Sequence, residues 1–180
     1  MARLKSASRA IACLACTTAA LLAHAQAASE AAVKAAFLYK FAAYVEWPAA
    51  SRPDAPFVIA TLAGDEVAAE LAALLPGRAV AGRPAIVRTV REGESLRDVQ
   101  MLFIGKRVGE ARALVRAAQA QGVLTVTETT LEASGAAINF VAAENRVTFE
   151  VSLEAAERSG HRISSRMLAV ARRVVPKAVS

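Results

Sequence analysis

Cysteine is scarce in this chain of 180 residues: there are two, Cys13 and Cys16, both near its start. Histidine is as rare, with His24 and His161 only. Zinc prefers thiolate and imidazole ligands, so no zinc set is available. No serine sits in a nucleophile-elbow pattern, and Gly105-Lys106-Arg107 lacks the spacing and the Ser/Thr of a phosphate loop. Glu92 and Glu94 read as loop charges, Asp65 and Glu66 as first-turn charges. None has the apolar flanks that raise a carboxyl pKa for acid catalysis. The expectation is therefore no catalytic residue, no cofactor, no metal and no enzyme.

A long hydrophobic run is missing as well. The first segment has Arg3, Lys5 and Arg9, then an apolar stretch from Ala10 to about Ala23, then Ala23-His24-Ala25. A membrane anchor needs about 20 apolar residues. The three-part pattern predicts a secretory signal peptide over residues 1–25, cleaved after Ala25 or, second, after Ala27. An uncleaved anchor and a lipidated Cys13 or Cys16 are the weaker alternatives. Cleavage removes both cysteines, so the exported chain relies on packing without disulfides. It also removes three charges, taking the formal charge from +6 to +3, too mild to argue for nucleic acid. The predicted location is the periplasm. About 155 residues remain, enough for one domain that buries about 70% of its unfolded surface.

Aromatics are only 5% of the chain, yet Phe37, Tyr39, Phe41, Tyr44 and Trp47 crowd into KAAFLYKFAAYVEWP, residues 34–48. Val33, Phe37, Phe41 and Tyr44 recur at helical spacing and predict an apolar stripe on a helix over 29–47. Ser29 can cap it, Glu30 suits its first turn, and Pro48 forces its end. Trp47, off the stripe, either plugs a sheet edge or lines a surface pocket.

Further on, PFVIATLAG (56–64) reads as a buried strand. Asp65 is expected to cap a helix carrying Val67, Leu71 and Leu74, stopped by Pro76-Gly77. Strands follow around Ile86–Val90, over 99–105 and over 123–128, with a helix from Gly109 to Gln121 between the last two. Strand–helix–strand order predicts parallel pairing with helices on the faces. Ile138, Phe140, Val147, Phe149 and Val151 alternate about a turn at Glu144-Asn145, a hairpin. A short helix stops at Gly160, and a last helix, capped by Ser164 or Ser165, carries Met167, Val170, Ala171 and Val174 to Pro176. The predicted fold is a single-domain α/β sandwich: a mixed, largely parallel sheet covered by helices, with a C-terminal hairpin plus helix.

Basic residues gather at the end. Arg172, Arg173 and Lys177 are expected to offset the negative end of the last helix dipole. Arg166, in its first turn after Ser164-Ser165, is instead a candidate contact for an acidic partner or a small anionic ligand. His161, between Gly160 and Arg162, is expected to be a surface loop residue, with a lone ligand contact as its other role.

VKAAFLYKFAAYVEWP (33–48) and GAAINFVAAENRVTFEVSLEAAERSGHRISSRMLAVARRV (135–174), with GRPAIVRTV, VQMLFIG and VLTVTE between, resemble the YfiR-like family of small periplasmic proteins. The resemblance covers nearly all of residues 30–175, within an expected domain at 29–176. It implies an α/β fold and a non-catalytic regulator that binds and restrains the periplasmic sensor domain of an inner-membrane diguanylate cyclase. Cyclic di-GMP synthesis and biofilm formation would fall. Members can dimerise, so a homodimer is a further implied partner. Motif positions carried over are Trp47, Asn139, Phe149, Glu150, Ser164, Ser165 and Arg166. With His161, the polar positions and Trp47 form the candidate contact set. The chain departs from the family in lacking cysteines after the leader, in Ser152 where asparagine is usual, and in His161 where leucine is usual. The alternative reading is a periplasmic small-ligand sensor serving another receptor.

Overall fold

The computed structural model describes residues 29–48, 54–106, 108, 111–143 and 146–177. The expected leader and the expected hairpin turn at 144–145 lie outside them. The chain runs α1 (Glu30–Tyr44), β1 (Val45–Glu46), β2 (Phe57–Leu62), α2 (Asp65–Leu74), β3 (Ala79–Val80), β4 (Arg83–Thr89) and β5 (Met101–Ile104). There follow α3 (Ala111–Ala120), β6 (Leu124–Thr127), α4 (Leu131–Ser134), β7 (Ile138–Ala143), β8 (Arg146–Ser152) and α5 (Leu153–Arg158). The end is β9 (Arg162–Ile163), α6 (Ser165–Leu168) and β10 (Arg173–Val175).

Eight strands form one sheet in the order β10-β8-β7-β6-β5-β2-β4-β3. Strands β4, β2, β5, β6 and β7 are parallel; β8 turns back against β7, and β10 follows β8 in parallel. The mixed, largely parallel α/β sheet is the one the sequence predicts. Strands β2, β5 and β6 are buried along their whole length, as parallel strands covered on both faces must be. One face packs on α1 and α2, the other on α3.

Helix α1 starts as expected: the Ser29 hydroxyl accepts from the Ala32 amide at 3.0 Å. It ends earlier, at Tyr44, because Val45 turns extended to pair with Ile163. Its buried side is Lys34, Ala35, Leu38, Phe41 and Ala42. Phe37 is half-buried and Tyr44 is exposed, so the expected stripe is rotated. Phe41 stacks on Phe140 (5.6 Å between ring centroids) and meets Phe149 edge-on (4.8 Å). The aromatic richness of this helix therefore serves the core.

Two local expectations fail. Gly64, not Asp65, is the N-cap of α2, and Asp65 lies in the first turn. The last helix is a single turn, after which the chain becomes strand β10. Arg173 therefore caps no helix.

Candidate functional site

The structure divides the seven candidate residues between two places. Trp47 and His161 meet at one corner. The Trp47 ring stands edge-on to Phe57, the first residue of β2, and to His161, each at 4.8 Å. Its indole Nε1 donates to the Ala42 carbonyl at 2.7 Å, satisfying an acceptor that the end of α1 leaves open. Trp47 thus packs, half-buried, over the amino end of β2, a central strand of the sheet.

His161 is not on the surface: it is 1% exposed. Its Nδ1 lies 3.0 Å from the Ser159 hydroxyl, which itself donates to the Ala156 carbonyl. Burial pushes its pKa down to about 4, because a desolvated imidazolium is disfavoured. The imidazole is neutral and packed. The sequence missed this because glycine and arginine neighbours read as a loop, while the Trp47 ring that covers it comes from far along the chain.

From this corner the chain pairs back on α1's exit: Val45 faces Ile163, and the Ser164 amide donates to the Tyr44 carbonyl at 3.1 Å. Ser164 caps α6 through the Met167 amide at 3.4 Å. Ser165 and Arg166 are exposed beside it. With α6 only four residues long, the aligned peptide dipoles expected to draw an anion to its start are few.

Asn139 and Glu150 lie elsewhere, as paired neighbours on β7 and β8. Their side chains alternate with Phe140 and Phe149 and face away from the α1 core. Asn139 is buried, with its Oδ1 accepting from Thr127 Oγ1 at 3.4 Å. Glu150 accepts from Arg173 at 2.8 Å, and Arg173 also binds Glu132 at 2.7 Å. Glu150, then Glu132, hold the guanidinium pKa above its usual range. Lys177 pairs with Glu157 at 3.0 Å. These basic residues answer carboxylates, where a helix end was expected.

A further cluster was missed. Strand order reverses between β2 and β5, and the loops leaving them touch: the Gly105 amide donates to the Leu62 carbonyl at 2.9 Å. A Cβ on Gly105 would lie 2.1 Å from the Ala63 carbonyl oxygen, so only glycine fits. Outside these strand ends opens a crevice of about 310 Å³ holding Glu30, Lys34, Asp65, Glu66, Lys106 and Glu128. Such a reversal is where open α/β sheets bind ligands. Here both lysines are answered by carboxylates of the crevice itself, Glu30 and Glu128. Lys34 is buried on α1 and bridges Glu30 and Glu128, and Glu128 also accepts from the Lys106 amide at 3.1 Å. Burial would lower the Lys34 pKa, but hydrogen bonds and charges from Glu128 and Glu30 outweigh it and raise it. The spacing of Lys34 with Leu38 and Phe41 was the available signal.

Fold and site together define a one-domain α/β protein whose buried ionisable groups are packed or paired and whose uncommitted cations lie at the surface. The family model described as YfiR/HmsC-like matches residues 31–172, and the chain belongs to this family. The family is one of periplasmic proteins known as regulatory rather than catalytic. No curated protein matches the chain.

Proposed function

We propose that this protein is exported with residues 1–25 removed and acts as a periplasmic, non-catalytic regulator through a domain spanning 29–176. Its partner is the periplasmic sensor domain of an inner-membrane diguanylate cyclase. Binding restrains the cyclase, lowering cyclic di-GMP signalling and biofilm formation. The observation that carries this reading is the family match over residues 31–172. Among the candidate contacts, exposed Ser165 and Arg166 are the ones positioned to touch a partner. Arg166 has no hydrogen bond or ion pair among the described residues. Trp47, His161, Asn139 and Glu150 act by holding the surrounding surface in place.

Affinity capture from the native envelope tests the reading, with cyclic di-GMP measured in cells carrying the variant as sole copy. Arg166→Glu is expected to lose the cyclase from the captured material and to raise cyclic di-GMP. Capture of no cyclase by the native protein would overturn the partner assignment. Undiminished capture and repression by a folded Arg166→Glu protein would remove Arg166 from the contact. Mass spectrometry of the exported protein is expected to find Gln26 or Ala28 at its start.

A further inference from the structure

Helix α3 carries Arg112 and Arg116 one turn apart, and α5 brings Arg158 towards them across the start of β7. Between these elements lies a cavity of about 530 Å³ lined by Arg112, Arg116, Arg158, Gln119, Ser134 and Gly135, with Ala120 completing the wall. None of these lining residues is acidic. The size falls in the range of small-molecule sites.

Two of the three guanidiniums are held in place. Arg112 donates through Nε to the Ala133 carbonyl at 2.9 Å and through Nη2 to the Glu132 carbonyl. Arg158 pairs with Glu154 at 2.8 Å and reaches the Gly135 carbonyl at 3.4 Å. Gln119 is buried and fixed by its own bond to the Gly135 carbonyl at 2.9 Å. Arg116 lines the same cavity with no hydrogen bond or ion pair among the described residues. Like charges one helical turn apart cost a helix a few tenths of a kcal/mol, and while Arg112 serves the α4 carbonyls, no contact in the fold calls for Arg116. Arg112 and Arg116 also wall a second cavity of about 300 Å³, lined in addition by Thr129, whose buried hydroxyl has no hydrogen-bond partner.

We propose that this arginine cavity binds a small molecule carrying a phosphate group. A phosphate ester bears a charge near −2 and three acceptor oxygens, more than one guanidinium can answer. The Arg112 fork, held in advance by two backbone carbonyls, and Arg158, held by Glu154, suit it, because little freedom is lost on binding, and Arg116 supplies the unpaired charge. The site is independent of the Arg166 surface and stands whether or not the protein restrains a cyclase.

Calorimetric titration of inorganic pyrophosphate into the protein as exported tests this, beside flotation with phosphatidylglycerol vesicles. Saturable one-to-one binding is expected, weakened about tenfold or more in Arg116→Ala, a change of about 1.4 kcal/mol. Arg91→Ala, which removes an equal charge from an exposed loop, is expected to bind like the native protein. Arg116→Lys, which keeps the charge but loses the fork, should fall between. Absence of saturation, or equal weakening by Arg91→Ala and Arg116→Ala, would overturn the site. Flotation with vesicles without pyrophosphate binding would overturn it too, in favour of a lipid-headgroup surface.

Discussion

Lys34 and His161 are two buried bases at opposite ends of the parallel strands; one is charged and the other neutral. Lys34 sits beyond the carboxyl ends of β5 and β6, against Glu128 and Glu30. His161 sits at the other end, against Trp47 and the start of β2. Both lose water, which penalises the charged form of each. Lys34 keeps its charge because two carboxylates reach it; His161 gives its charge up because its ring meets a hydroxyl and an indole. The partner, more than the depth of burial, decides the charge of a buried base. The same rule separates the two charged cavities: the crevice pairs its lysine internally, while the arginine cavity leaves Arg116 unanswered.

Helix α1, which carries Lys34, also carries Phe41 into the aromatic cluster with Phe140 and Phe149. Phe41→Ala is expected to cost about 3–5 kcal/mol, the range for emptying a buried aromatic site. At about 2–4 °C per kcal/mol for a domain of this size, melting should fall by about 10 °C. A fall of one or two degrees would mean that Phe41 does not fill a tightly packed core site.

Lys34→Met attacks the charged end alone. It leaves Glu128 nearly buried with one partner fewer, and a loss of about 3 kcal/mol is expected by urea unfolding. Adding Glu128→Met should recover part of it, since the stranded carboxylate goes too. A double variant no more stable than the single one would show that the ion pair is not the source of the loss.

The neutral end is tested by pH. The unfolded chain protonates His161 near pH 6.5 while the folded chain does so near pH 4. Acidification therefore favours the unfolded state, and this contribution is lost as pH falls from about 6.5 to about 4. Between pH 7 and pH 5 the loss should be about 2 kcal/mol. His161→Gln should flatten that slope. The Lys34 end, its pKa raised, should show no change over the same window. Equal slopes in both proteins would mean that His161 takes up its proton in the fold at the same pH as in the unfolded chain.

Arg166→Glu gives the smallest effect on stability, within about 0.5 kcal/mol for an exposed substitution. It sits next to the His161 corner but shares none of its burial. A large drop in melting temperature would make Arg166 part of that corner's packing.

Most elements were legible because their patterns are local. Alternation in β7 and β8, unbroken apolar runs in β2 and β5, and the Ser29 cap all write structure into neighbouring residues. The candidate contacts were less legible. Nothing near His161 announces Trp47, and nothing near Asn139 or Glu150 says that Thr127 and Arg173 reach them. Arg116 drew no attention because its companion Arg158 lies on another helix.

By itself the sequence determined the α/β order, the parallel sheet, the returning hairpin and the place of the aromatic helix in the core. Those follow from periodicity, capping and turn residues within a few positions of one another. Only the tertiary structure decided the end of the chain. Met167, Val170, Ala171 and Val174 have helical spacing, yet the helix stops after one turn and Val170 stands exposed. The edge of β8 offers unpaired backbone groups that need partners. The Arg172 amide donates to the Phe149 carbonyl at 2.8 Å, and Arg173 reaches Glu150 and Glu132. A helix would satisfy its own backbone but leave that edge open, a cost that local sequence does not register.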